Sequence, residues 1–275
     1  MAYYIIKNGC WEGYYRCRWD KLGRNGSCQA SSAIDERGRL FTWGQNYWGQ
    51  CGQGDWNVDG RLREIEFTVQ LTNAENWIKV TSGEVGSMAL NDEGALWAWG
   101  SNYGDSSQYG LPSGNQPSTV RTPVRCAPGQ LFKDIAFAYY YTLAIGEDDK
   151  LYTFGPNDYW TLGIGGVDGQ NYHTPVINPY VTADVKLIDA ELFSNVVVTV
   201  DNEVYAFGCD WWYTDNVWET YDTGVPWQVT GLPVGANIVD AKVNNYGIVV
   251  VLDDGTVWKA GSDFLLVDGT GTGTG

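Results

Sequence analysis

Short apolar runs and polar turns alternate along this chain, and the alternation is periodic. Ser87-Met88-Ala89-Leu90 leads through Asn91-Asp92-Glu93-Gly94 to Leu96, and Thr142-Leu143-Ala144-Ile145 leads through Glu147-Asp148-Asp149-Lys150 to Leu151. The run 196–200 leads through Asp201-Asn202 to Val204, and the run 248–252 leads through Asp253-Asp254-Gly255 to Val257. Asp, Asn and Gly accept the positive φ of tight hairpin turns. β-branched and aromatic residues fill the flanks, as strands prefer. Each unit is therefore predicted to hold an antiparallel hairpin.

The second strand of each hairpin carries a recurring pentapeptide. The copies are Leu40-Phe41-Thr42-Trp43-Gly44, Leu96-Trp97-Ala98-Trp99-Gly100, Leu151-Tyr152-Thr153-Phe154-Gly155, Val204-Tyr205-Ala206-Phe207-Gly208 and Val257-Trp258-Lys259-Ala260-Gly261. Their terminal glycines are 56, 55, 53 and 53 residues apart. A period of that size marks a repeat architecture, in which each unit buries its apolar face only by stacking on its neighbours. Side chains alternate faces along a strand, so Phe41 and Trp43, Trp97 and Trp99, Tyr152 and Phe154, and Tyr205 and Phe207 form bulky faces. The residues between them, Thr42, Ala98, Thr153 and Ala206, are small. Bulky and small faces interdigitate when sheets stack, which predicts that Trp99 is buried against a neighbouring sheet. The last copy has Lys259 and Ala260 instead, which predicts a looser or more exposed seam.

Further strand-like runs complete the unit: Trp77-Ile78-Lys79-Val80, Phe132-Lys133-Asp134-Ile135, Val185-Lys186-Leu187-Ile188 and Asn237-Ile238-Val239-Asp240. Thr122-Pro123-Val124, Thr174-Pro175-Val176 and Val225-Pro226-Trp227 lie upstream of three of them, and proline belongs at a strand start or edge. About four short strands per ~54 residues is the content of a propeller blade.

The run from Gly44-Gln45-Asn46-Tyr47-Trp48-Gly49-Gln50-Cys51-Gly52 to Gln53-Gly54 resembles the "WGxNxxGQLGxG" signature of the regulator of chromosome condensation repeat. Residues 155–165 form a partial copy, and Gly100-Ser101-Asn102-Tyr103-Gly104 with Tyr109-Gly110-Leu111 forms another. The resemblance covers nearly the whole chain and implies a β-propeller. The family usually has seven repeats, whereas five are present here. Its "GxxHSLAL" segment has lost its histidine, because the chain's one histidine is His173.

The expected fold is thus all-β: a single β-propeller domain over residues 1–275, with repeat hairpins centred near 40–44, 96–100, 151–155, 204–208 and 257–261. Five four-stranded blades are expected. The N-terminal strand Ala2-Tyr3-Tyr4-Ile5-Ile6-Lys7 would close the last blade, which residues 261–271 leave incomplete. Closure removes the free sheet edges that invite aggregation. An open arc that closes by dimerisation is the alternative.

Composition narrows the function. Lys plus Arg number 17 against 33 Asp plus Glu, a net charge of −16. Nucleic-acid binding needs clustered basic residues, so no nucleic-acid partner is expected, and the family's chromatin and GTPase-exchange roles are not carried over. No apolar stretch suits a transmembrane helix, and the start lacks the pattern of a signal peptide. A virion or cytoplasmic home without membrane insertion is therefore expected. Cys10, Cys17, Cys28, Cys51, Cys126 and Cys209 form no C-x-x-C pair. They read as small buried hydrophobes, or among the first three as a disulfide. His173 reads as a loop histidine ahead of a strand. No nucleophile-elbow, P-loop or dinucleotide fingerprint occurs, so no enzyme and no catalytic residue are expected.

Two sets of candidate residues remain. Asp55, Asn57, Asp59 and Glu66 fit the pattern of a calcium loop, with alternating oxygen ligands and a glycine, Gly60, for the sharp turn. The flanks read as strand rather than helix, so a plain inter-strand loop is the competing reading and no cofactor is otherwise expected. The second set is aromatic. With 14 Trp and 18 Tyr, many aromatics fall in predicted loops, where they bring large contact area at low entropy cost. Tyr47, Trp48, Tyr159, Trp160, Trp211, Trp212 and Tyr213 are the candidate binding residues; Tyr109 belongs to the same group of loop aromatics. The expected function is a non-enzymatic protein-interaction or structural module, a subunit of a larger assembly such as a virus or phage particle, with a decoration or adhesion role. Its partners would be other subunits. A lectin-like propeller that binds surface glycans is the alternative.

Overall fold

The computed structural model describes residues 3–7, 10–15, 19–22, 24–25, 30–44, 46–54, 76–83, 86–102, 107–111, 119–208, 224–244 and 247–261. These residues are nearly all strand and turn. In chain order the strands are β1 (Tyr3–Lys7), β2 (Cys10–Tyr15), β3 (Trp19–Leu22), β4 (Arg24–Asn25), β5 (Ala30–Asp35) and β6 (Leu40–Gly44). Then come β7 (Trp77–Ser82), β8 (Gly86–Asn91), β9 (Leu96–Ser101), β10 (Thr119–Arg125), β11 (Phe132–Phe137), β12 (Thr142–Gly146), β13 (Leu151–Pro156) and β14 (Asn171–Ile177). The last are β15 (Val185–Glu191), β16 (Ser194–Thr199), β17 (Val204–Gly208), β18 (Trp227–Val229), β19 (Ile238–Asn244), β20 (Gly247–Leu252) and β21 (Val257–Gly261).

Five antiparallel sheets each contain one pentapeptide strand. Their orders are β3-β5-β6, β7-β8-β9-β10, β11-β12-β13-β14, β15-β16-β17-β18 and β19-β20-β21, with β4 added in parallel beside β7. These are propeller blades. The first strand of every sheet skips one residue in its register, at Trp19/Lys21, Trp77/Lys79, Phe132/Asp134, Val185/Leu187 and Ile238/Asp240. A bulge repeated at the same place is a built feature that adds local twist. It identifies β3 as the counterpart of β7, β11, β15 and β19. The proline strands β10 and β14 lie at sheet edges and shift register beside Pro123 and Pro175, where a missing N–H costs least.

The hairpin turns repeat as well. The same backbone bond closes all five, from Asp35, Asn91, Gly146, Thr199 and Leu252 N–H to the carbonyls of Arg39, Ala95, Lys150, Glu203 and Thr256. The reverse N–H finds a side chain: Asp35 Oδ1, Asn91 Oδ1 or Thr199 Oγ1. Where that strand-end residue is Gly146 or Leu252, Asp148 or Asp254 from inside the turn accepts instead.

The expected closing strand is not where the sequence put it. β1 pairs with β2 in a separate two-stranded sheet, with Lys7 opposite Cys10, and β19-β20-β21 holds no N-terminal strand. Local chemistry explains the difference. The residues between the paired strands are Asn8 and Gly9, the dipeptide most favourable to a two-residue hairpin. A local hairpin also closes a far shorter loop than a pairing across the chain.

Apolar packing runs between successive sheets. Met88, Trp99 and Phe132 share one cluster, Leu143, Val197 and Phe207 a second, and Val198, Ile248 and Val250 a third. Trp99 is fully buried, as expected. The middle strands β8, β12 and β16 are buried at every position, whereas β20 alternates buried with half-buried residues. Lys259 is exposed and Ala260 half-buried, which agrees with the predicted looser seam. No described helix is long and apolar enough to cross a membrane.

Candidate functional site

Antiparallel order puts alternate connections at opposite ends of a sheet. The link from first to second strand and the link that follows the pentapeptide strand therefore share one end. Tyr47, Trp48, Tyr159 and Trp160 lie on links of the second kind; Tyr139, Tyr140 and Phe193 lie on links of the first. One end of the blades thus collects these seven loop aromatics, whereas Tyr180, between β14 and β15, lies toward the other.

These loops are held by their own buried polar residues. Cys51 N–H donates to Asn46 Oδ1 at 3.0 Å, and Leu162 N–H donates to Asn157 Oδ1 at 3.1 Å. Each loop then lays a glycine on the aromatic ring of the next blade. A Cβ on Gly52 would lie 2.8 Å from Trp99, one on Gly110 would lie 3.1 Å from Phe154, and one on Gly163 would lie 2.5 Å from Phe207. The carbonyl two residues before each glycine accepts a bond from the same position of the next blade. Ser87 Oγ donates to Gln50 O at 3.3 Å, Thr142 Oγ1 to Gln108 O at 2.9 Å, and Asn195 Nδ2 to Thr161 O at 2.9 Å. Trp99 Nε1 also donates to Gln50 O, at 2.6 Å. Each donor stands opposite the pentapeptide aromatic in the ladder, as Ser87 does to Trp99, Thr142 to Phe154 and Asn195 to Phe207. The fifth repeat has Ile248 opposite Ala260 and so lacks both parts.

Tyr109 turns inward rather than facing solvent. It is fully buried, its hydroxyl donates to Ser101 O at 2.8 Å, and a Cβ on Gly86 would lie 2.0 Å from the Tyr109 hydroxyl oxygen. Tyr109 thus fills the space of the side chain that Gly86 lacks.

Among the described candidate binding residues, Tyr47, Trp48 and Tyr159 are exposed and Trp160 is not. Tyr47 and Trp48 are exposed and meet edge to face at 4.9 Å. Tyr159 is 50% exposed, while Trp160 is half-buried, with its indole against Gly224. Tyr159 belongs to a larger cluster that sequence reasoning missed. Its ring lies 4.9 Å from Phe193, Phe193 lies 5.2 Å from Tyr139, and Tyr139 lies 4.1 Å from Tyr140. Three connections from two blades build it. Phe193 and Tyr139 were overlooked because each sits in a short strand link with no signature around it.

The cluster is held in a costly backbone. Tyr159, Trp160 and Leu192 have φ of 55°, 54° and 47°, a region that costs a side-chain-bearing residue about 1 kcal/mol or more. Tyr159 N–H donates to Asp168 Oδ1 at 2.6 Å, which fixes the turn. Asp158, Asp168 and Val167 are exposed on the same loop. Burial, and then the charge of Asp168, push the Asp158 carboxyl above its ordinary range.

Other candidates fall elsewhere. Trp211, Trp212 and Tyr213, and the calcium-loop residues Asp55, Asn57, Asp59 and Glu66, lie outside the described residues. Among the described residues no group of three or more His, Cys, Asp or Glu is placed to hold a metal. Cys51 and Cys126 are buried thiols, and burial pushes the Cys126 thiol far up. His173 is half-buried within β14 rather than in a loop before it, because pairing of β14 with β13 begins at Asn171.

No family model matches the chain. Protein pim1 of Schizosaccharomyces pombe is 27% identical over 242 residues, covering 74% of this chain and 44% of that protein. Protein RCC2 of Mus musculus is 31% identical over 141 residues, covering 50% of this chain and 26% of that protein. The chain spans less than half the length of the curated relatives it matches. Human WBSCR16 superposes with a TM-score of 0.69 at 18% identity, covering 87% of this chain and 60% of that one. Prp20p from Saccharomyces cerevisiae gives 0.65 at 21% identity, covering 84% and 55%. With the repeat period, the recurring bulge and the glycine-on-aromatic contacts, these likenesses make the chain a β-propeller whose repeats are similar to those of RCC1-like proteins.

Proposed function

We propose that this chain is a non-enzymatic protein-interaction module that docks its partner on the loop end of its blades, as a subunit of a larger assembly. The observation that carries this reading is the cluster of Tyr159, Phe193, Tyr139 and Tyr140. Rigid aromatics give contact area at low entropy cost and dominate interface energetics. Left-handed backbone at Tyr159 and Leu192 is a cost borne where the rings are presented, as strain at functional loops often is. The relatives support the class of function. Prp20p is described with binding to Gsp1p and histones, which makes binding to a protein the natural reading for a related propeller. The ligase activity named for HERC2 stays with that protein, of which this chain spans 5%. The virus-particle home and the lectin alternative find no support among these relatives.

The test compares full-length variants at the two ends of the blades. A binding partner recovered with the native chain is expected to be lost with Tyr47→Ala plus Tyr159→Ala. It is expected to be kept with Lys133→Ala plus Lys150→Ala, which change the opposite, hairpin-turn end. The reverse ranking would overturn the assignment of the docking end.

A further inference from the structure

Resting on the docking reading above, we infer that the Tyr159 face takes an extended, arginine-bearing segment of the partner protein. Aromatic surface alone does not choose between apolar and cationic partners. The charges around it do. Asp158 precedes Tyr159 in the chain, Asp168 accepts the Tyr159 N–H from the same loop, both are exposed, and residues 156–170 contain no Lys or Arg. The ion pairs found among the described residues lie elsewhere: Arg39 with Asp35, Lys79 with Asp134, Lys133 with Asp149, Lys150 with Asp184 and Lys242 with Asp240. Asp168 spends one oxygen on Tyr159 N–H, which aims the loop without neutralising the carboxylate. Two like charges on one short loop, beside a ring half open to solvent, form a site that an incoming cation would relieve. Burial first, and the Asp168 charge second, raise the Asp158 carboxyl.

Arginine fits better than lysine. A planar guanidinium stacks on an aromatic face while its N–H fork reaches a carboxylate. Here Tyr159 supplies the face, Asp158 and Asp168 supply the carboxylates, and Phe193 backs the tyrosine ring at 4.9 Å. Val167, 68% exposed on the same loop, offers the arginine stem an apolar contact. The chain's net charge of −16 adds long-range steering of a basic segment.

The experiment is an amide chemical-shift titration of the full chain with acetyl-Gly-Arg-Ser-Arg-Gly-amide and its norleucine counterpart. Saturable shifts are expected at Tyr159, Asp168 and Phe193 with the arginine peptide, and not with norleucine. Tyr159→Ala, and Asp158→Asn plus Asp168→Asn together, should each weaken binding by about 10-fold. The asparagine at 168 keeps an acceptor for Tyr159 N–H, so a native-like spectrum shows that the loop is intact. Absence of arginine-peptide shifts overturns the inference. So do shifts that the variants leave unchanged, which would mark diffuse attraction to an acidic surface. Equal binding of the norleucine peptide also overturns it, while leaving the docking reading of the aromatic face standing.

Discussion

Gly52 lies against the indole of Trp99, and a side chain there has no room. A Cβ at residue 52 would sit 2.8 Å from Trp99 Cδ1, and the backbone is left-handed, with φ at 67°. The indole N–H donates to Gln50 O two residues upstream, so one loop grips both the face and the edge of the ring. The glycine-on-ring contact recurs at Gly110 on Phe154 and at Gly163 on Phe207, with Thr142 and Asn195 supplying the polar bond.

Gly52→Ala should therefore cost about 2–5 kcal/mol, from left-handed strain plus overpacking against a buried ring. Gly129 is also left-handed, at 94°, but has nothing within 4 Å of its would-be Cβ. Gly129→Ala should cost only about 1–2 kcal/mol. Denaturant midpoints with unchanged slopes would give the comparison, and similar costs at the two sites would refute the contact.

Trp99→Ala should cost about 3–5 kcal/mol as a large-to-small change at a fully buried site. Part of that cost is Gln50 O left without its indole donor. Thermal unfolding of the variant beside Tyr47→Ala, at an exposed ring, should separate the two clearly.

Thr142→Val isolates the polar half of the grip. Valine keeps the shape but removes the hydroxyl that donates to Gln108 O across the blades. A buried carbonyl that loses its partner costs about 1–3 kcal/mol. A neutral result in equilibrium unfolding would mean that the aromatic contact alone joins the blades.

Acid should loosen the β5–β6 hairpin. Burial acts to raise the Asp35 carboxyl, but the Arg39 side chain and the N–H groups of Arg39 and Arg37 outweigh it and hold it below the ordinary carboxylate range. A depressed carboxylate contributes stability that is present above its unfolded value and is lost as pH falls through the folded one. Asp35→Asn should thus cost about 1–3 kcal/mol near neutrality and much less once acid has protonated the native carboxylate. A penalty independent of pH would show that charge plays no part at this turn.

The repeat and the blade were legible because both are periodic. Five pentapeptides, five Asp, Asn or Gly turns and their spacing are local signals, and each became a hairpin in its own sheet. What failed was pairing over long distance. Ala2 to Lys7 looked free to close the ring only because the Asn8-Gly9 signal beside it was overlooked. Sequence pattern found Tyr159 through its loop but not Phe193 and Tyr139, since their meeting depends on how two blades stack. Nor could it show Tyr109 turning inward, which follows from the space above Gly86.

Tyr159 offers a test in which stability and function should part. Its ring is 50% exposed and its φ is 55°. Removing the ring loses the contact with Phe193, while glycine relieves the left-handed strain. These effects oppose each other, each about 1 kcal/mol, so Tyr159→Gly should change folding stability by less than about 1 kcal/mol. Tyr159→Ala keeps the strain and should be the less stable of the two. Both should lose partner binding alike, because both lose the ring. If binding instead tracked stability across native chain, glycine and alanine, Tyr159 would be a structural residue of its loop and not an anchor of the interface.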